Sequence, residues 1–164
     1  MNRLTNIEEI YQMYCTQLYY TSLRITGNSF EAEEIMQDTI LKWHSFSQKE
    51  SIEKLGSWLK SVCIRKSLDK LKEKHRNQNF LEDYKEWQNI QEEAPPENYN
   101  IEEIKKSLLL LPDNYRTILS LHLFEGYDYQ EIEQITGTKE ATLRSLYKRA
   151  KEKLAATIAQ NKKQ

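Results

Sequence analysis

YQEIEQITGTKEATLRSLYKRA, residues 129–150, reads as two helices hinged at a glycine. Asp128 and Glu131 form a D-x-x-E capping box, which fixes where the first helix begins. Ile132 and Ile135 face inward, and Gly137 sits where the chain must turn sharply. Thr138 or Lys139 starts the second helix, with Leu143 and Tyr147 as its inward anchors. That leaves Thr142, Arg144, Ser145, Lys148 and Arg149 facing outward. Short hydroxyls and arginines near the start of a helix reach phosphates and base edges in a major groove. A basic helix face alone also fits an ordinary hairpin with a solvated surface. The capping box, the glycine and the spacing together favour a DNA-reading helix-turn-helix. Two positions depart from that pattern. Glu133 stands where such units place a small residue against the second helix, and Leu146 where an exposed basic residue is more natural.

Upstream of this pair, Ile101, Ile104, Leu108 and Leu111 set a helical stripe that breaks at Pro112. A further helix, YRTILSLHLF, ends at Glu125-Gly126. Before it lies NQNFLEDYKEWQNIQEEAPPENYN, residues 77–100, acidic and interrupted by Pro95-Pro96 with no sustained apolar stripe. It reads as a linker, although Phe80, Leu81, Tyr84 and Trp87 suit a short docked helix.

The N-terminal part is a three-helix unit. Ile7, Ile10, Tyr11, Tyr14, Leu18 and Ile25 mark a first helix stopping at Gly27-Asn28. Asn28 or Ser29 caps a second, whose first turn holds Glu31, Glu33 and Glu34 at the positive end of the helix dipole. Ala32, Met36, Ile40 and Trp43 line one face of it. A third carries Leu55, Trp58, Leu59 and Val62, then Ile64, Leu68 and Leu71 on a shifted stripe. The expected architecture is all-α: residues 1–76 and 101–164 as two small helical domains, joined by an acidic linker over residues 77–100.

The 164 residues carry 24 Lys and Arg against 25 Asp and Glu, a net charge of -1. A DNA reader with no positive surplus needs explaining, and the distribution explains it. Residues 54–76 hold eight basic side chains against Asp69 and Glu73, whereas residues 82–103 hold eight carboxylates against Lys85. Neutrality is segregation of charge. Trp58 beside the basic residues suits unpaired nucleic acid, where bases stack on aromatics along a positive track. It equally suits a core tryptophan beneath solvated lysines.

Other classes find no support. Cys15 and Cys63 match no ligand or redox spacing, and His44, His75 and His122 are scattered, so no metal or other cofactor is expected. No nucleophile–base pair or phosphate loop points to an enzyme. Arg3, Glu8 and Glu9 fall where a signal peptide needs an apolar run, and no apolar stretch reaches bilayer length. A cytoplasmic protein without direct membrane insertion is expected.

Three segments, taken in order, resemble the extracytoplasmic-function sigma factors, the two-domain initiation subunits of bacterial RNA polymerase. EAEEIMQDTILKWHSF is similar to the family's polymerase-clamp-binding helix, and GSWLKSVCIRKSLDKLKEKHR to its segment for the promoter −10 element. LPDNYRTILSLHLFEGYDYQEIEQITGTKEATLRSLYKRAKEKL is similar to its domain for the −35 element. The resemblance spares only the linker. It implies that Glu34, Gln37, Asp38 and Leu41 grip polymerase, and that Trp58, Lys60, Arg65, Lys66 and Lys70 meet the −10 strand. It assigns the −35 element to Lys139, Thr142, Arg144, Ser145, Lys148 and Arg149.

Implied partners are core RNA polymerase, promoter DNA and an anti-sigma factor, which the resemblance allows to be membrane-anchored. Because polymerase delivers a sigma factor to promoters, local positive patches suffice, and a low total charge limits sequence-blind phosphate binding. Arg65 departs from the family's usual Asn; Asn donates and accepts at a base edge, whereas Arg only donates. The alternatives are a helix-turn-helix regulator acting without polymerase and a decoy that binds polymerase without initiating.

Overall fold

The computed structural model describes residues 6–46, 49–76, 80–82 and 100–162, all helices and their connections, with no strand among them. Contacts divide the chain into two compact units, Met1–Lys74 and His75–Gln164. The acidic residues of the expected linker from Asp83 to Glu97, with Tyr84 and Trp87, lie outside the described residues.

In the first unit, α1 (Ile7–Thr26), α2 (Ser29–Ser45) and α3 (Leu55–His75) carry the fold, with a 3-10 turn at Lys49–Ser51. Caps fix the boundaries. Asn6 Oδ1 accepts from Glu8 N–H at 2.9 Å, and Asn28 Oδ1 accepts from Glu31 N–H at 3.0 Å, so Asn28 rather than Ser29 opens α2. Gly27 takes φ 69, the left-handed turn that lets α2 fold back along α1. The expected stripe of α2 is buried in full, and Ile10, Leu18, Leu59 and Cys63 meet it. The buried Cys63 and Ser67 of this core are paired, as desolvation requires. Cys63 Sγ–H donates to Leu18 O at 3.3 Å, and the Ser67 hydroxyl lies 2.8 Å from both Ser22 Oγ and Cys63 O.

The second unit contains α4 (Ile101–Leu108), α5 (Asp113–Leu119), α6 (Tyr129–Thr136) and α7 (Glu140–Lys162). The long α7 is its spine: α4, α5 and α6 all pack against it. Leu108, Ile118, Leu121, Ile132, Leu143 and Leu154 form much of the core. Ile101 is a correction to the expected stripe, since it is exposed at the first position of α4, where none of the described elements covers it. YRTILSLHLF is helical as expected, but its last turn, Ser120–Phe124, is a π-helix, with Glu125 N–H donating to Ser120 O at 2.9 Å.

A 3-10 turn, Phe80–Glu82, also belongs to this unit; Phe80 and Leu81 are buried, and the turn packs on α5 and α7. Beside it, the His75 ring stacks on Phe80 and its Nε2–H donates to Asp113 Oδ2 at 2.7 Å. The other Asp113 oxygen pairs with the buried Arg116, whose Nη1 donates to Leu111 O at 2.7 Å. Phe80 and Leu81 therefore dock, as their apolar side chains allowed.

Candidate functional site

The helix-turn-helix is built by α6 and α7. Asp128 Oδ1 accepts from Glu131 N–H at 2.8 Å, and Glu131 Oε1 accepts from Asp128 N–H at 3.2 Å, so the expected capping box is complete. Gly137 takes φ 77 at the turn, and Ile132 of α6 is buried. Ile135 is only half-buried.

Both departures from the motif have a structural reason. Glu133 Oε1 accepts from Glu140 N–H at 3.1 Å, capping the N-terminus of α7 from the preceding helix. The longer side chain supplies the acceptor that a first helical turn lacks. Leu146 is 0% exposed. The expectation of an exposed basic residue at this place is corrected: Leu143, Leu146 and Ala150, three and four apart, form the stripe that seats α7 on the unit.

The candidate −35 residues divide between two sides of α7. Arg144 and Lys148 are exposed at helical spacing, Ser145 lies beside them, and Lys151 extends the line one turn further. Thr142 and Arg149, seven apart, are half-buried on the other flank. Arg149 faces Tyr115 of α5: burial pushes the Tyr115 phenol up, the Arg149 charge lowers it and Glu152 raises it again. Lys139 is exposed just before α7, and its carbonyl accepts from Leu143 N–H at 3.0 Å.

An aromatic cluster that sequence reasoning missed backs this face. His122, carried by the π turn, stacks on Tyr129 at 4.4 Å between centroids and meets Tyr147 edge-on at 4.5 Å. Its Nδ1–H donates to Tyr127 O at 2.7 Å. Arg144 lies over the Tyr129 ring at 4.7 Å, and Lys151 over Tyr147 at 5.3 Å. Burial pushes the Tyr129 phenol up against the lowering effect of Arg144, and burial together with Tyr129 pushes Tyr147 up. Period alone could not find this cluster, because His122 reaches it through the extra residue of a π turn.

On α3, Arg65 is exposed, and Trp58, seven residues earlier, shares its helix face. Trp58 is half-buried, packed on the core and 5.3 Å from Phe46, so it serves the core at least in part. Lys66 and Lys70, four apart, line a second stripe, and Lys60 lies on a third; the helix does not gather all five on one side.

Glu34, Gln37, Asp38 and Leu41 are all exposed, and their i, i+3, i+4, i+7 spacing puts them on one face of α2. Leu41 is 55% exposed. Phe30, 76% exposed, lies four residues before Glu34 on the same strip and was missed. A solvent-facing aromatic one turn ahead of the acids was the available signal. The strip is acidic in the middle and apolar at both ends.

Among the described residues, no group of His, Cys, Asp or Glu is placed to hold a metal ion, and no helix is long and apolar enough to cross a membrane.

Residues 10–77 match the pattern of Sigma-70 region 2, and residues 101–154 that of Sigma-70, region 4. The ECF RNA polymerase sigma factor SigM of Bacillus subtilis (strain 168) is 29% identical over 153 residues, covering 92% of this chain and 93% of that protein. The ECF RNA polymerase sigma factor SigE of Mycolicibacterium smegmatis is 25% identical over 166 residues, 94% of this chain and 62% of its own length. Among solved structures, the sigma factor RpoE in complex with the anti-sigma factor NepR from Bartonella quintana aligns with a TM-score of 0.59. It is 20% identical and covers 93% of this chain and 96% of its own. The extracytoplasmic function sigma factor SigJ of Mycobacterium tuberculosis aligns at 0.54 and 22% identity, over 91% of this chain and 53% of its own. At such identities the two structures establish a shared fold.

Proposed function

We propose, for a chain that belongs to the sigma-70 family of RNA polymerase sigma factors and to its extracytoplasmic-function type, a division of labour among its helices. The chain is a sigma factor, and core RNA polymerase and promoter DNA are its partners. In our reading the strip Phe30, Glu34, Gln37, Asp38 and Leu41 on α2 grips the polymerase. The basic α3, with Arg65 at its exposed face, takes the −10 strand, and α7 presents Arg144, Ser145 and Lys148 to the −35 duplex. Residues 1–76 and 101–164 act as separate domains joined through residues 77–100, of which Phe80 and Leu81 dock on the second domain. Bond making stays with the polymerase, in the cytoplasm where polymerase and promoter meet. An anti-sigma factor is a further partner, a reading supported by the fold shared with an RpoE crystallised with NepR.

The observation that carries this reading is the α2 strip. Its acids and its two apolar ends point to solvent, while Met36 and Ile40 of the same helix are buried. A regulator acting on DNA alone has no use for such a surface. Interface energy concentrates in a few central residues. Charge reversal at Glu34 and Asp38 together with Leu41→Ala is therefore expected to abolish co-purification with core polymerase, with helical content intact by circular dichroism. Undiminished polymerase binding by that triple variant contradicts the assignment.

A further inference from the structure

His122 is the one member of the second unit's aromatic cluster whose side-chain type ordinarily titrates between about pH 5 and 8. Tyr129 and Tyr147 stay neutral there, since burial pushes both phenols up. Three contacts hold the imidazole. Its plane lies 17° from that of Tyr129, with centroids 4.4 Å apart, and Tyr147 meets it edge-on at 4.5 Å. Its Nδ1–H donates to Tyr127 O at 2.7 Å. A carbonyl only accepts, so Nδ1 carries a proton in both states of the ring and Nε2 takes the second one. Titration therefore leaves this anchor intact and changes the charge alone.

That charge arises among cations. Arg144 lies over the Tyr129 ring at 4.7 Å, and Lys151 over the Tyr147 ring at 5.3 Å. The two rings that hold these side chains are the two that His122 touches. Arg144 is also paired with Glu140 Oε1 at 2.6 Å, and Glu125 is the charged residue that closes the π turn. From α5, which leads into the turn, Arg116 is paired with Asp113. Among the described residues no carboxylate bonds to the imidazole. An aromatic face attracts a cation through a single quadrupole. An imidazolium beside both tyrosines therefore competes with Arg144 and Lys151 for that attraction and repels them, in a half-buried place where salt screens little. Protonation loosens two cations from their rings and adds a third.

We propose that His122 is a proton-operated switch on duplex binding by the second unit: acid charges the ring, loosens Arg144 and Lys151, and strengthens the hold on DNA. The proposal rests on the assignment of α7 to duplex promoter DNA and adds its regulation. His122 touches no DNA in this scheme. The sign follows from reciprocity between the two ligands, proton and duplex. DNA prefers the protonated form, so affinity rises as pH falls through the titration of His122 and levels off on either side.

Two measurements test it. In an NMR titration of the full chain between about pH 5.5 and 8, the His122 ring and the Arg144 Nε–H are expected to shift with one midpoint. Holoenzyme assembled from core polymerase and the full chain is then titrated with the duplex upstream of a start site that it uses. His122→Asn keeps a donor for Tyr127 O and never charges. Relative to that variant, wild type is expected to gain about fivefold in affinity between about pH 8 and pH 6. His122→Phe keeps a ring, never charges and matches His122→Asn. The wild-type salt dependence steepens at the lower pH, because more cations meet phosphates. An Arg144 resonance that ignores the His122 midpoint overturns the proposal, and that readout needs no variant to fold. So does a wild-type affinity that follows His122→Asn at every pH while promoter duplex is still preferred over unrelated duplex. Loss of that preference at every pH overturns the assignment of α7 itself, and the switch falls with it.

Discussion

Glu133 of α6 closes the N-terminus of α7 through the Glu140 N–H, and that one bond couples the two helices of the reading unit. Removing an N-terminal cap costs about 1 kcal/mol. Glu133→Ala is expected to lower the urea midpoint of the full chain by that order, and Glu133→Gln, which keeps an acceptor, by less. Equal stability of Glu133→Ala and wild type would show that the bond contributes nothing. Leu146 lies deeper. Leu146→Ala is expected to cost about 2–5 kcal/mol, and Leu146→Arg to prevent the second unit from folding, because a charge would be buried without a partner. Near-native stability of Leu146→Arg, measured by the same denaturation, would place the side chain in solvent instead. These two positions were illegible in the sequence for one reason. A motif states what usually stands at a site, whereas burial and capping depend on the neighbours the fold supplies. At Arg65 the prediction concerns DNA. Arg65→Ala is expected to reduce promoter opening more than initial duplex binding, seen as lost permanganate reactivity of thymines with polymerase still bound. Opening equal to wild type would return Arg65 to the solvated surface.

At the level of helices, hydrophobic period located every long element. Ile10, Leu18, Met36, Trp43 and Leu59 are buried where the stripes put them, because in a small bundle a helix can hide only one face. Capping signals were as informative: Asn28, Asp128 and Gly137 all act as the sequence suggested. Ile101 escaped because period cannot tell a stripe's covered residues from one that overhangs the end. The π turn escaped because its one-residue shift leaves no mark in composition, yet it delivers His122 to Tyr129 and Tyr147. On α2 the spacing was legible and the full extent of the strip was not. If Phe30 is part of the polymerase surface, Phe30→Ser with Leu41→Ser should weaken polymerase binding about 30-fold or more, the effect of losing a hot spot. Both side chains face solvent, so the melting temperature should hold. Wild-type affinity in a titration of labelled chain with core polymerase would remove both residues from the interface.

For the molecule as a whole, charge is the organising quantity. A basic α3 and a basic stripe on α7 coexist with a net charge of -1 because residues 82–103 offset them. Tethered opposite charges stay at high effective concentration. The acidic stretch is therefore expected to compete with DNA for the basic faces when polymerase is absent, fading as salt rises, since the Debye length is about 8 Å at physiological ionic strength. Neutralising Glu82, Asp83, Glu86, Glu92, Glu93 and Glu97 to Gln or Asn should strengthen duplex binding by the free chain at low salt. Identical titrations for the two proteins would reduce the stretch to a spacer. The central claim is that this chain gives polymerase its choice of promoter, and purified transcription on genomic fragments tests it most directly. With core polymerase and the chain, new start sites are expected, each preceded by the same pair of spaced elements and absent when the chain is omitted. Start sites that are unchanged or only suppressed on adding the chain would contradict it.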